Sequence, residues 1–144
     1  MKRLSLPLLF LLTCAAGANA VAGPAVDAAQ AHFAAIGAGD RSAILRDYSD
    51  SARLLWVGGP LDGAYDGTAA IGAVWDKFGA ALGNAKVSVG AIEESANPKG
   101  ATVTAAVQFD GKNQVKVRYV LTYREGKLVH ETWQVDPKLA ITAR

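Results

Sequence analysis

The hydrophobic spacing of this chain changes period at Gly83-Asn84, and that change limits the possible folds more than any single motif does. Upstream, apolar residues recur at helical intervals: Val26, Ala29, Phe33 and Ile36; then Ile44, Leu45 and Tyr48; then Ile71, Val74, Trp75, Phe78 and Leu82. Downstream they alternate, with Val103, Ala105, Val107 and Phe109 in one run and Val115, Val117, Tyr119, Leu121 and Tyr123 in the next. A period near 3.6 followed by a period of 2 predicts helices first and strands after. Helices segregated from strands predict an α+β fold, with three N-terminal helices on one face of an antiparallel sheet.

Local signals divide these segments. Pro24 suits the first turn of a helix, Gly37-Ala38-Gly39 ends it, and Asp40 is placed to cap a second, shorter helix running to Tyr48. A short strand is expected over 53–57, followed by turns at Gly58-Gly59-Pro60, Asp62-Gly63 and Asp66-Gly67. Thr68 is the expected cap of the third helix. Strands are expected over 86–92, 101–109, 115–123 and from about Val129 to Val135, joined by tight turns at 97–100, 110–113 and 124–127. Connections this short require antiparallel neighbours.

The first 20 residues read as a secretory leader. Lys2 and Arg3 precede the apolar run 4–12, and Ala18-Asn19-Ala20 provides a small-residue cleavage site. The apolar run is too short to span a bilayer. Cys14, the chain's one cysteine, lacks the small residue expected before a lipid-modified site. Removal of the leader leaves 124 of the 144 residues, enough for one domain with its own core. It leaves 13 basic against 13 acidic residues, so the basic balance of the whole chain belongs largely to the leader. A formally neutral domain without a Lys/Arg cluster lacks the electrostatics of nucleic-acid binding. Without Cys14 the domain has neither a disulfide nor a thiol nucleophile. His32 and His130 lie in segments of different type without ligand spacing, so neither a metal nor another cofactor is expected. The expected location is the periplasm or the exterior.

The last strand sets an ionisable pair side by side. Val129, Glu131, Trp133 and Val135 share one parity, and His130, Thr132 and Gln134 the other. Burying the aromatic and its aliphatic companions, at about 1.5–3 kcal/mol per large side chain, directs the odd face inward. Glu131 is then expected inside and His130 outside, unless a one-residue bulge exchanges them.

The order of motifs resembles a known family. A helix, then G-x-G-D at 37–40, then Asp47-Tyr48-Ser49-Asp50, a short strand with Trp56, Tyr65-Asp66-Gly67-Thr68 before a helix, and a closing G-K-L-V-x-x-x-W strand are similar to the nuclear transport factor 2-like superfamily, in particular its SnoaL-like and ketosteroid-isomerase-like branch. The resemblance covers nearly all of the chain after the leader. It implies a cone-shaped α+β barrel, in which a strongly bent antiparallel sheet wraps a long helix and leaves a pocket. Members include isomerases, polyketide cyclases, epoxide hydrolases and dehydratases as well as binding and interaction modules, so the fold alone does not assign a function. The carboxylate base of the isomerases falls on Trp56 here, and an indole cannot abstract a proton. The acidic donor those enzymes carry on a central strand falls in the apolar run 101–109.

Three functions follow as expectations. The first is binding of a small, mainly apolar molecule, with Tyr48, Trp56, Trp75, Phe78, Tyr119, Tyr123 and Trp133 as ligand-binding candidates beside Glu131. The second is acid–base catalysis of isomerase, cyclase or dehydratase type by Glu131, with His130 as the alternative base. The third is a homodimer formed through the sheet around Val120, Thr122 and His130. Asp47 and Asp50 are expected to be a helix cap and a solvated charge, and Lys116 and Arg118 to solvate the outer sheet face.

Overall fold

The computed structural model describes residues 23–142, and the leader, its cleavage site at Ala20 and Cys14 lie outside them. The elements are α1 (Pro24–Ala38), α2 (Arg41–Arg46), β1 (Tyr48–Val57), β2 (Gly63–Asp66), α3 (Gly67–Leu82), β3 (Lys86–Asn97), β4 (Gly100–Asp110), β5 (Gln114–Arg124) and β6 (Lys127–Val135). The fold is α+β, with the helices packed on a strongly curved six-stranded sheet of order β2-β1-β6-β5-β4-β3. The sheet does not close into a barrel.

The helix boundaries follow from capping chemistry. Pro24 opens α1, where the Val26 N–H donates to Glu94 Oε2 at 2.9 Å, so a carboxylate carried by β3 caps the helix. Gly39 closes α1 in the left-handed region, with φ 66°, as the turn into α2 requires. The Asp40 side chain accepts from the Ala43 N–H at 3.0 Å and so caps α2 as expected.

Five elements differ from the sequence reading, among them β3, which continues past Ile92 to Asn97. The second helix ends at Arg46, so Tyr48 opens β1 rather than closing α2, and β1 begins five residues earlier than expected. Hydrogen bonding to β6 draws Tyr48 into the strand, since Tyr48 pairs with Leu128. Residues 63–66, read as turns, form the edge strand β2 against β1. The N-cap of α3 is Asp66, and Thr68 lies inside the helix. The meander β3 to β6 is antiparallel throughout, but β1 joins β6 in parallel, so the sheet is mixed. A parallel neighbour needs a long crossover, and here α3 and the four strands β2, β3, β4 and β5 supply it.

The parity of β6 turns on a bulge that the sequence did not reveal. Thr122 pairs with His130 and Tyr123 with Leu128, leaving Val129 as the extra residue. Val129 is therefore only half-buried rather than an inward companion of Trp133, and Leu128 takes the core position. The bulge precedes Glu131, so Glu131 and Trp133 still face the interior, while His130 sits half-exposed on the other face.

The interior is filled by side chains. Trp133 stacks on Trp56 with ring centroids 4.4 Å apart and on Phe109 at 5.4 Å, and Trp75 and Phe78 meet it edge-on at 5.2 and 5.0 Å. Tyr119 meets Trp133 from the other side at 5.1 Å. Offset and edge-to-face aromatic pairs add about 0.5–1.5 kcal/mol each beyond their buried area, so this cluster anchors α3 to the sheet.

Candidate functional site

Beyond the aromatic cluster the interior turns polar. Glu131 and His32 are the buried carboxylate and imidazole there, both without solvent exposure. Three elements bring partners to the Glu131 carboxylate. From α1, His32 Nε2 lies 3.3 Å from both Oε1 and Oε2. From the first position of β1, the Tyr48 hydroxyl donates to Oε2. From α3, the Trp75 indole N–H donates to the Tyr48 oxygen at 3.0 Å.

The directions of these bonds are constrained. An indole N–H can only donate, so the Tyr48 oxygen accepts from Trp75 and its single proton is left for Glu131. Burial foremost, then the charge of Glu131, holds the Tyr48 phenol well above the usual tyrosine range. Tyr48 therefore remains a hydrogen-bond donor at neutral pH. Burial likewise raises Tyr119 and Tyr123 on β5, again with the charge of Glu131 as the next cause. The hydroxyls of Tyr119 and Tyr123 and the indole N–H of Trp133 are buried without a hydrogen-bond partner among the described residues. The other imidazole nitrogen of His32, Nδ1, also lacks a hydrogen-bond partner and lies 3.9 Å from Oδ2 of Asp47, whose side chain is 34% exposed.

The structure thus gathers Glu131, Tyr48, Trp75, Tyr119 and Tyr123 around one interior region and leaves His130 on the other sheet face. The partner of Glu131 is a histidine, His32. His32 was not among the site candidates. Its signal was present: it follows Ala29 by three residues and precedes Ile36 by four, which sets it on the apolar face of α1. Asp47 is the C-cap residue of α2, as expected, yet its carboxylate faces the buried imidazole. Among the described residues, no three His, Cys, Asp or Glu side chains are grouped to hold a metal ion.

Trp56, Phe78 and Trp133 belong to the aromatic half. Trp56 and Phe78 also line a cleft of about 300 Å³ at that end of the cone, walled by Pro60, Leu61, Val115 and Val135. The β1–β2 turn forms one rim of it. Gly58, at φ 93°, turns the chain there and donates its N–H to Asp62 Oδ1 at 2.7 Å.

Residues 29–131 match the family model of the SnoaL-like domain. The chain belongs to the SnoaL-like domain family. No curated protein matches this SnoaL-like chain. Among solved structures it is similar to a nuclear transport factor 2-like protein of unknown function from Burkholderia xenovorans LB400, at 23% identity over 79% of this chain and 84% of that one, with a TM-score of 0.61. It is similar also to a ketosteroid isomerase-like protein from Erwinia carotovora atroseptica SCRI1043, at 17% identity over 76% and 91% with a TM-score of 0.61. A protein of Sinorhizobium meliloti proposed to be a polyketide cyclase matches at 20% identity over 75% and 94% with a TM-score of 0.52. Identities this low establish the shared cone architecture and leave the chemistry of the SnoaL-like domain to its own residues.

Proposed function

We propose that this domain binds a small, mainly apolar molecule in the cleft at the aromatic end of the cone. The observation that carries this reading is the cleft itself: about 300 Å³, with Trp56 and Phe78 as floor and Leu61, Val115 and Val135 as walls. Its volume lies at the lower end of small-molecule sites, and its lining is of the apolar and aromatic type such sites favour. Its occupant is a compact ring system rather than an extended chain. Export of the domain through its leader places this binding in the periplasm or outside the cell.

The bicyclic ketone 2-tetralone is a suitable probe. Calorimetric titration should give saturable one-to-one binding, and Ala81→Phe, which fills the cleft from α3 while keeping Trp56 and Phe78, should weaken it at least ~10-fold, or about 1.4 kcal/mol. Absence of saturable binding, or equal binding by Ala81→Phe, would refute the assignment.

A second reading, acid–base chemistry on a carbonyl compound, is favoured by the enclosed carboxylate of Glu131 with Tyr48 beside it. Glu131 lies two residues along β6 from Trp133 on the same inward face, and Trp133 stacks on Trp56 of the cleft, so the carboxylate lies behind the aromatic wall and a substrate reaches it only when that wall opens. In this reading Glu131 takes a proton from the carbon next to the carbonyl, and a buried phenol donates to the developing oxyanion. Hydrogen–deuterium exchange at the α-carbons of 2-tetralone should be accelerated by the protein and abolished by Glu131→Gln. Equal exchange rates in the two proteins would remove Glu131 from any such role.

A further inference from the structure

Glu131 is sealed from water, so any proton it takes up must leave through protein groups. Tyr48 does not provide the exit, since its oxygen is closed on the other side by the Trp75 N–H and its own acidity is suppressed by burial. Tyr119 and Tyr123 are likewise held in the neutral form. His32 is the remaining titratable partner, and its ring spans the gap: Nε2 faces both oxygens of Glu131, and Nδ1 faces Asp47 Oδ2 at 3.9 Å. Asp47 is the first group in this chain that water reaches, with about a third of its side chain exposed.

We propose that Glu131, His32 and Asp47 form a proton conduit that joins the buried carboxylate to solvent, with Asp47 as its outer terminus. It rests on the acid–base reading of Glu131. The transfer balances without any redox partner. Protonated Glu131 gives its proton to Nε2 of the imidazole, the Nδ1 proton passes to the Asp47 carboxylate, and Asp47 releases it to water. The reverse passage resets both the imidazole tautomer and the carboxylates. A separation of 3.9 Å is longer than a hydrogen bond, so a small rotation of the exposed Asp47 side chain closes the path at its outer end. The imidazole itself is held between Glu131 on β6, Tyr48 on β1 and Trp75 on α3, which it meets edge-on with centroids 5.5 and 6.3 Å away. A residue read from the sequence as a helix cap thus becomes part of the site, as a positioning and relay residue that touches no substrate.

The chain has two histidines, which makes the test direct. In the His130→Gln protein every imidazole signal in a nitrogen-15 NMR spectrum belongs to His32. Adding Asp47→Asn should slow exchange of the His32 ring N–H with water at least ~10-fold, because an amide cannot take up the Nδ1 proton as the carboxylate does. Asp47→Glu should recover a substantial part of that rate. The Asp47 backbone carbonyl accepts from the Leu128 N–H at 2.8 Å, and these side-chain variants keep that bond. In the 2-tetralone assay Asp47→Asn should lower turnover at least ~10-fold at unchanged KM and displace the pH profile. A His32 ring exchange rate that ignores Asp47→Asn overturns the conduit, whatever the assay shows. Loss of turnover in Glu131→Gln with full turnover in Asp47→Asn also overturns it, while leaving Glu131 its role. If Glu131→Gln has no effect on turnover but Asp47 governs His32 exchange, the acid–base reading falls and the conduit stands as a property of the fold.

Discussion

The two halves of the cone interior are built on opposite principles. Around Trp133 the contacts are aromatic faces and edges, each tolerant of small shifts and none requiring a particular protonation state. Around Glu131, two residues away on β6, every group depends on its neighbour: the carboxylate on His32 and Tyr48, and Tyr48 on Trp75. The aromatic half stabilises the fold through burial. The polar half imposes a desolvation cost that an apolar substitute would avoid, and a buried ion pair seldom repays that cost in stability alone. A fold that retains such a cluster at its centre either gains specificity of packing or uses the groups. The contrast can be tested by attacking each half in turn.

Truncation should give the largest effects and should not separate the halves. Trp133→Ala opens a cavity in the aromatic cluster and should cost about 3–5 kcal/mol in urea denaturation. Glu131→Ala leaves His32 and the Tyr48 hydroxyl buried without their partner and should cost a similar 3–5 kcal/mol. If Glu131→Ala proves nearly neutral, the polar half is wetter than its burial indicates and the contrast weakens.

Alkaline titration comes next, and here the halves should part. The phenols of Tyr48, Tyr119 and Tyr123 are raised in the folded protein, first by burial and then by Glu131. The unfolded chain therefore releases these protons first as pH rises. Their contribution to stability is complete below the ordinary tyrosine value of about 10 and is lost above it, at about 1.4 kcal/mol per pH unit for each phenol. Midpoints of urea unfolding measured from pH 8 to 11.5 should fall above pH 10, and the combined Tyr119→Phe/Tyr123→Phe variant should flatten that fall. An equally steep decline in the double variant would place the alkaline weakness outside the polar half.

The smallest expected change is the most discriminating. Replacing the cluster in one step by His32→Leu, Glu131→Met and Tyr48→Phe should cost no more than about 1–3 kcal/mol, because no charge stays unpaired and the Trp75 indole N–H alone loses its acceptor. The same treatment of the aromatic half has no equivalent, since no substitution fills the space of Trp133 as well. Loss of more than ~3 kcal/mol in the triple variant would show that the cluster holds the fold together, beyond what is known for buried ion pairs.

Much of the architecture was legible. The inward parity of Trp133, Tyr119 and Phe109 followed from alternation, and the entry and exit of α1 from Pro24 and Gly39. Tyr48 was misplaced because its local sequence continues a helical spacing, while pairing with Leu128 across the sheet draws it into a strand. The bulge at Val129 carried no local mark, and a single extra residue exchanged it with Leu128 as the core residue. Of the site, Glu131 and the tyrosines were visible as ionisable or polar groups on apolar faces. His32 was visible only as a histidine on a helix, and its role depends on a partner 99 residues away.

What the sequence determined by itself was local: where the period changes, which residues cap and break, and which face of each strand is greasy. Such preferences are short-range, acting within a turn of helix or along one strand. The tertiary structure decided what those faces meet. It paired β1 with β6 in parallel, laid α1 so that an imidazole lies against a carboxylate, and brought a helix-end aspartate to the outer side of that ring. The energy of such meetings depends on distances of a few ångströms between groups far apart in the chain. No period or propensity encodes those distances, and only the packed core fixes them.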